Sequence, residues 1–167
     1  MSLRMETLSV LQQMRQTHPA VPDAVAEASI IRFAAMFSNL TVDNVQRECA
    51  RVYADGVFFN DTLKTVRGID TLRHYLLETA ANVEDCKVEI QDTTRTAHGD
   101  WLVRWKMMIR FRKLRRGVDT WTIGMSHLRF AEDGRIAYQQ DYWNAADGIY
   151  EHVPLLGGLI RMLKRRL

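Results

Sequence analysis

From Trp101 to Phe111 the chain alternates without a break. Trp101, Val103, Trp105, Met107, Ile109 and Phe111 fall on one parity, and Arg104, Lys106, Arg110 and Arg112 on the other. A period of two sends these sets to opposite sides of a β-strand. One apolar and one basic face is the pattern of an antiparallel strand with a single covered side. The flanks continue the theme. Cys86, Val88 and Ile90 alternate with Lys87, Glu89 and Gln91, and His98-Gly99-Asp100 is a turn signal. Arg115-Arg116-Gly117 leads into a strand from Val118 to Phe130, and the Asp-Gly hairpin at Glu132-Asp133-Gly134 leads into the last, Arg135 to Asn144. Residues 86–144 therefore predict a curved antiparallel sheet. Its inner face, closed by N-terminal helices, encloses a mostly apolar pocket containing Asp141.

Before this sheet the period is helical. Val25, Ile30, Ile31, Phe33, Ala34 and Phe37 recur at helix spacing through Asn39, with Asp23 as the expected N-cap. Thr41, with Asp43 and Asn44 behind it, starts a second helix that runs to Tyr53, and Ala54-Asp55-Gly56 is read as its break. Val57 to Asp61 is a short β-type run, and Gly68 to Asn82 a third helix with Ile69, Leu72, Tyr75, Leu76 and Thr79 on one side. Residues 1–22, with Pro19 and Pro22, are expected to be a flexible arm. Residues 23–152 form one α+β domain with helices covering one face of a sheet.

A chain of 167 residues suits one domain with a real core. No apolar run reaches the roughly 18–20 residues of a membrane span, and Met1–Gln16 lacks a signal-peptide block. Cys49 and Cys86 have no metal-type spacing and read as unpaired thiols in a reducing, cytoplasmic setting. Net charge is +3, but unevenly placed: one basic cluster spans Arg104–Arg116, and another comprises Arg161, Lys164, Arg165 and Arg166. The first face lacks interleaved aromatics for base stacking, so no nucleic-acid partner is expected. There is no glycine-rich phosphate loop, no histidine pair at metal spacing and no serine in a nucleophile elbow. No cofactor or metal is expected.

Asp141, in Gln-Gln-Asp-Tyr-Trp-Asn, shares a parity with Ala137, Gln139 and Trp143. If it points inward it must be paired, wet or protonated, because an unpaired buried carboxylate costs several kcal/mol. The alternative is an aspartate satisfying backbone, or an arginine, at the sheet edge. Asp61, in phase with Phe59, is either a second pocket carboxylate or a turn residue. Ser126 alternates with Leu128 and Phe130, as a pocket hydroxyl or a small hydrogen-bonded filler. Trp105, Trp121 and Trp143 read most simply as core, and His127 faces away.

The order of elements and several short motifs resemble the nuclear transport factor 2-like superfamily, and within it the SnoaL-like group. The matching stretches are Tyr53-Ala-Asp-Gly-Val-Phe-Phe-Asn-Asp61, Arg67-Gly-Ile-Asp70, Met125-Ser-His-Leu-Arg-Phe130, Gly134-Arg-Ile136 and Gln140-Asp-Tyr-Trp-Asn144, across about residues 23–147. The resemblance implies a cone-shaped, cystatin-like roll: three helices wrapped on a strongly bent sheet with a pocket between them. Its members include isomerases, epoxide hydrolases, cyclases, dehydratases and non-enzymatic modules, so fold alone names no reaction. Asp61 falls where ketosteroid isomerase has its general base, but the oxyanion tyrosine and aspartate positions look like Phe33 and Ser126. Asp141 falls where limonene-type epoxide hydrolases carry one carboxylate, while the companion Arg and Asp positions hold Trp105 and Met107. Both devices are incomplete here, and the replacements are mainly apolar.

The resulting expectation is a pocket for a small apolar molecule. Asp61 and Asp141 are the candidate acid–base residues, and Phe33, Phe59, Trp105, Met107, Ser126 and Trp143 the candidate wall. If catalytic, the protein is an isomerase, lyase or hydrolase-like enzyme working without a metal by proton transfer, dehydration or cyclisation. The competing reading is a non-catalytic module. Residues 153–167 read as a basic amphipathic helix, with Leu156, Ile160, Leu163 and Leu167 on one stripe. That helix either makes peripheral membrane contact or docks on its own domain or a dimer mate. Superfamily dimers usually form through the outer sheet face, and Trp121, Ile123 and Met125 make that face apolar, so a homodimer is expected.

Overall fold

The computed structural model describes residues 3–113 and 116–144. Helices α1 (Leu3–Thr17), α2 (Asp23–Ser38) and α3 (Val42–Val52) come first, followed by strands β1 (Tyr53–Asn60) and β2 (Thr65–Arg67). Helix α4 (Ile69–Asn82) then leads into β3 (Val83–Arg95), β4 (Trp101–Phe111), β5 (Asp119–Phe130) and β6 (Ile136–Trp143). The strands form one six-stranded sheet in the order β2-β1-β6-β5-β4-β3.

The four later strands pair antiparallel in sequence order, as their alternation requires. Three register shifts interrupt their ladders, at Val83/Asp85, Ile90/Asp92 and Arg129/Phe130. Such irregularities bend and twist a sheet. Helices α2, α3 and α4 cover its concave side around a core that includes Phe33, Val45, Cys49, Phe59, Leu72, Leu128 and Ile136. Thr41 caps α3 by accepting the Asn44 N–H at 3.2 Å, as its spacing implies. Cys49 and Cys86 are free and buried, and burial pushes both thiols up, to about 11 and about 12.

Several expectations need correction. Helix α3 ends where expected, at Val52, but Ala54-Asp55-Gly56 is not a break between elements: these residues belong to β1, which begins at Tyr53. Strand β1 lies parallel to β6, so the sheet is not purely an antiparallel meander. That pairing joins residues far apart in sequence and leaves no local periodic trace. Pro22, not Asp23, occupies the α2 N-cap position, and Asp23 instead lies in the first turn, where a negative charge suits the helix dipole.

Residues 1–22 do not form a loose arm in the described part. Helix α1 lies on the convex side, with Val10 and Leu11 buried against Phe58 and Tyr138 and with Met14 packed alongside. The rings of Phe58 and Tyr138 stack at 5.3 Å. Val10, Leu11 and Met14 share one helical face, a short stripe outweighed in the sequence by the prolines behind it. An ionic cluster pins the helix. Asp100, whose side chain is 0% exposed, accepts from Arg15, from Arg129 at 2.9 Å and pairs with His127 at 3.1 Å. Residues 153–167, read as an amphipathic helix, lie outside the described residues.

Candidate functional site

Between the helices and the concave sheet face lies a cavity of about 140 Å³. Its wall is mainly apolar: Phe33, Phe37 and Leu40 from the α2 side, Tyr75 and Leu76 from α4, Trp105, Met107 and Ile109 from β4, and Trp143 from β6. Asp61, Thr79, Thr122, Ser126, Gln139 and Asp141 supply the polar atoms. The structure thus brings to one cavity all eight residues singled out in the sequence: Phe33, Phe59, Asp61, Trp105, Met107, Ser126, Asp141 and Trp143.

Asp141 points inward and is 8% exposed. Strand register explains its company. Ser126 on β5 stands directly across from it, and Gln139 precedes it by two on the same face. The Ser126 hydroxyl donates to Asp141 Oδ1 at 2.7 Å, and Gln139 Nε2 donates to Oδ1 at 2.9 Å and Oδ2 at 3.1 Å. Behind them, Trp105 Nε1 donates to the Ser126 hydroxyl at 2.9 Å and the Tyr53 hydroxyl donates to Gln139 Oε1 at 2.8 Å. Trp105 is therefore not merely an apolar replacement. Its ring forms wall while its N–H, through Ser126, orients the hydroxyl proton toward the carboxylate.

These donors are all neutral. Burial raises the Asp141 pKa, the Ser126 and Gln139 hydrogen bonds lower it, and the Asp61 charge raises it again; the net value is about 7. Desolvation wins because dipoles offset only part of the cost of burying a charge. Oδ1 carries two of the donated bonds, while Oδ2 has only the longest one. Oδ2 is the oxygen left to take or give a proton. Tyr53, fully buried, is pushed well above the ordinary tyrosine range by burial, and next by the Asp141 carboxylate, so it stays a donor.

Asp61 fulfils both of its sequence readings. Oδ1 accepts the backbone N–H groups of Leu63 at 3.0 Å and Lys64 at 2.8 Å, which is turn chemistry, while Oδ2 accepts the Tyr75 hydroxyl inside the cavity wall. Trp143 Nε1 donates to the Asp61 carbonyl at 2.6 Å, tying the end of β6 to this turn. Burial and the adjacent Asp61 charge push Tyr75 far above its ordinary value, so it remains a phenol.

Gly124, opposite Trp105 in the ladder, makes room for the indole. A Cβ there would lie 2.3 Å from the Trp105 ring, so any larger residue would displace the tryptophan and its bond to Ser126. Tyr53, Gln139 and Tyr75 were not singled out as site residues in the sequence. Gln139 had a signal, its shared parity with Asp141. Tyr53 had none, because its position depends on the parallel β1–β6 pairing. No cluster of three His, Cys, Asp or Glu residues is placed to hold a metal among the described residues. No helix among them is long and apolar enough to cross a membrane.

A cone of helices on a bent sheet, with polar groups on the floor of an apolar cavity, defines the nuclear transport factor 2-like class. Residues 30–139 match the model of the SnoaL-like domain, and the chain belongs to that family. Among solved structures, it is similar to an NTF2-like protein of unknown function from Exiguobacterium sp. 255-15. That match has 17% identity and a TM-score of 0.60, covering 70% of this chain and 98% of that one. It is similar also to an LEH-like epoxide hydrolase from M. tuberculosis, at 20% identity, 85% and 97% coverage and a TM-score of 0.56. A third is a protein with a ketosteroid isomerase-like fold from Catenulispora acidiphila, solved in complex with trimethylamine. It shows 15% identity, 72% and 88% coverage and a TM-score of 0.61. At these identities the likeness is one of fold. No curated protein matches the chain.

Proposed function

We propose that the cone cavity binds a small, largely apolar molecule and that Asp141 transfers a proton at it. The observation that carries this reading is a buried carboxylate, held by three neutral hydrogen bonds and with a pKa of about 7, in the wall of an apolar cavity. A group titrating near neutrality can both accept and return a proton. Ser126, Gln139, Trp105 and Tyr53 position it, and Asp61 with Tyr75 provides a second polar point. Proton transfer, dehydration or cyclisation of a cyclic or acyl substrate are reactions this arrangement suits. Isomerase, lyase and hydrolase activities without a metal all fall within it.

The test is a panel of cyclic ketones and alcohols. Binding is read from Trp105 and Trp143 fluorescence, and proton exchange at carbon from deuterium incorporation. Asp141→Asn should bind but lose exchange by about 10²-fold or more, and Asp61→Asn should exchange more slowly. If no panel member binds, or if both variants exchange at the wild-type rate, the reading fails.

The outer face favours self-association as an accompaniment. Trp121 is 55% exposed, Ile123 61% and Tyr142 49%, on the convex side not occupied by the α1 cluster. We propose a homodimer through this patch. Sedimentation should show a dimer for the wild type and a monomer for Ile123→Asp, with cavity binding unchanged. A wild type that stays monomeric at high concentration would remove the dimer.

A further inference from the structure

The counter-charge for the cavity is missing from its wall. Asp61 and Asp141 both line it, yet no Lys, Arg or His does so among the described residues. Elsewhere the same fold does otherwise with a buried carboxylate: Asp100 meets Arg15, Arg129 and His127. Two carboxylates facing one low-dielectric space repel each other, and an anionic ligand would add to the repulsion. A cation would reverse it. The remaining wall suits a cation as well, since Phe33, Phe59, Tyr75, Trp105 and Trp143 contribute aromatic rings whose faces attract positive charge. One of them already does so: Lys64 Nζ sits 4.8 Å from the centroid of the Tyr75 ring, although Lys64 is not part of the cavity wall.

We infer that the ligand of this cavity is an organic monocation, a compact apolar body carrying one protonated amine, held between the Asp61 and Asp141 carboxylates and the aromatic wall. This inference rests on the reading of the cavity as a small-molecule site and adds the charge of what it takes. The ammonium N–H donates to Asp141 Oδ2, the oxygen with spare accepting capacity. A bound cation favours the ionised form of Asp141 and so completes an ion pair inside the cavity. Ligands bearing carboxylate or phosphate are excluded by the same field.

Three probes with one skeleton test this at pH 8: cyclohexylmethylamine, cyclohexylmethanol and cyclohexanecarboxylate, each titrated by calorimetry into the full chain. The amine should bind about tenfold or more tighter than the alcohol, and the carboxylate weakest of all. In Asp61→Asn and Asp141→Asn the advantage of amine over alcohol should shrink severalfold, while alcohol binding persists. An alcohol that binds as tightly as the amine overturns the inferred charge but leaves an apolar pocket in place. An amine preference unchanged in both variants also overturns it, since the charge would then be sensed elsewhere. Failure of all three probes to bind overturns the small-molecule reading itself, and this inference with it.

Discussion

Two buried aspartates stand on opposite sides of one sheet and meet opposite fates. Asp100, on the convex side beneath α1, is surrounded by Arg15, Arg129 and His127. Among the described residues, the carboxylate of Asp141, on the concave side, accepts hydrogen bonds from Ser126 and Gln139 and faces a mainly apolar cavity. Burial raises the pKa of both. At Asp100 the hydrogen bonds of His127 and Arg15 and their charges more than reverse this, leaving it at about 2. At Asp141 the neutral donors do not, and it stands at about 7. Burial alone therefore does not tune a carboxylate; the charge of its partners decides. One aspartate is a structural anchor for α1, and the other is left available for chemistry.

The pH dependence of stability should separate the two. The folded-state pKa of Asp141 lies above the ordinary 3.8, so its contribution is fully present below about pH 4 and is lost as pH rises through about 7. That loss amounts to about 4 kcal/mol at most. Urea unfolding across pH 4–8 should show the decline in the wild type and a much flatter curve in Asp141→Asn. A wild-type curve equally flat in this range would break the contrast.

Asp100 works in the opposite direction. Its folded pKa lies below 3.8, so its contribution is present above about pH 4 and lost as pH falls through about 2. Asp100→Asn leaves Arg129 and its neighbours without a buried counter-charge, and should cost roughly 3 kcal/mol at pH 7. The gap to wild type should close near pH 2. Proteolysis within α1 should also accelerate, because Arg15 loses its anchor. Equal cutting rates in both proteins would show that the apolar contacts of Val10 and Leu11 hold the helix by themselves.

The smallest change sharpens the comparison on the concave side. Ser126→Ala removes one donor to Asp141 and leaves the Trp105 N–H without its acceptor, at a cost of about 1–2 kcal/mol. The Asp141 titration, followed by carboxyl NMR, should move upward, since a bond favouring the ionised form has gone. A downward shift would mean that Ser126 orients something other than the carboxylate.

Which of these features could be read in the linear chain follows from the range of the interactions that create them. The alternation from Trp101 to Phe111 dictates a one-sided strand, because side-chain direction along a strand has period two whatever surrounds it. The same local logic marks α2, α3 and α4, the Thr41 cap and the inward parity shared by Gln139, Asp141 and Trp143. The resemblance to the superfamily then placed Asp61 and Asp141 near one pocket. Tertiary contact alone decided the rest. Strand β1 pairs parallel with β6, which sets Tyr53 behind Gln139 across 86 residues of sequence. Helix α1 docks because Phe58 and Tyr138 happen to stack beneath it, and Asp100 meets Arg15 from α1 together with His127 and Arg129 from β5, more than a hundred positions further along the chain. Periodicity reports the side of an element on which a residue lies. It carries nothing about the charge of what waits there, and that charge is what makes Asp100 an anchor and Asp141 a site.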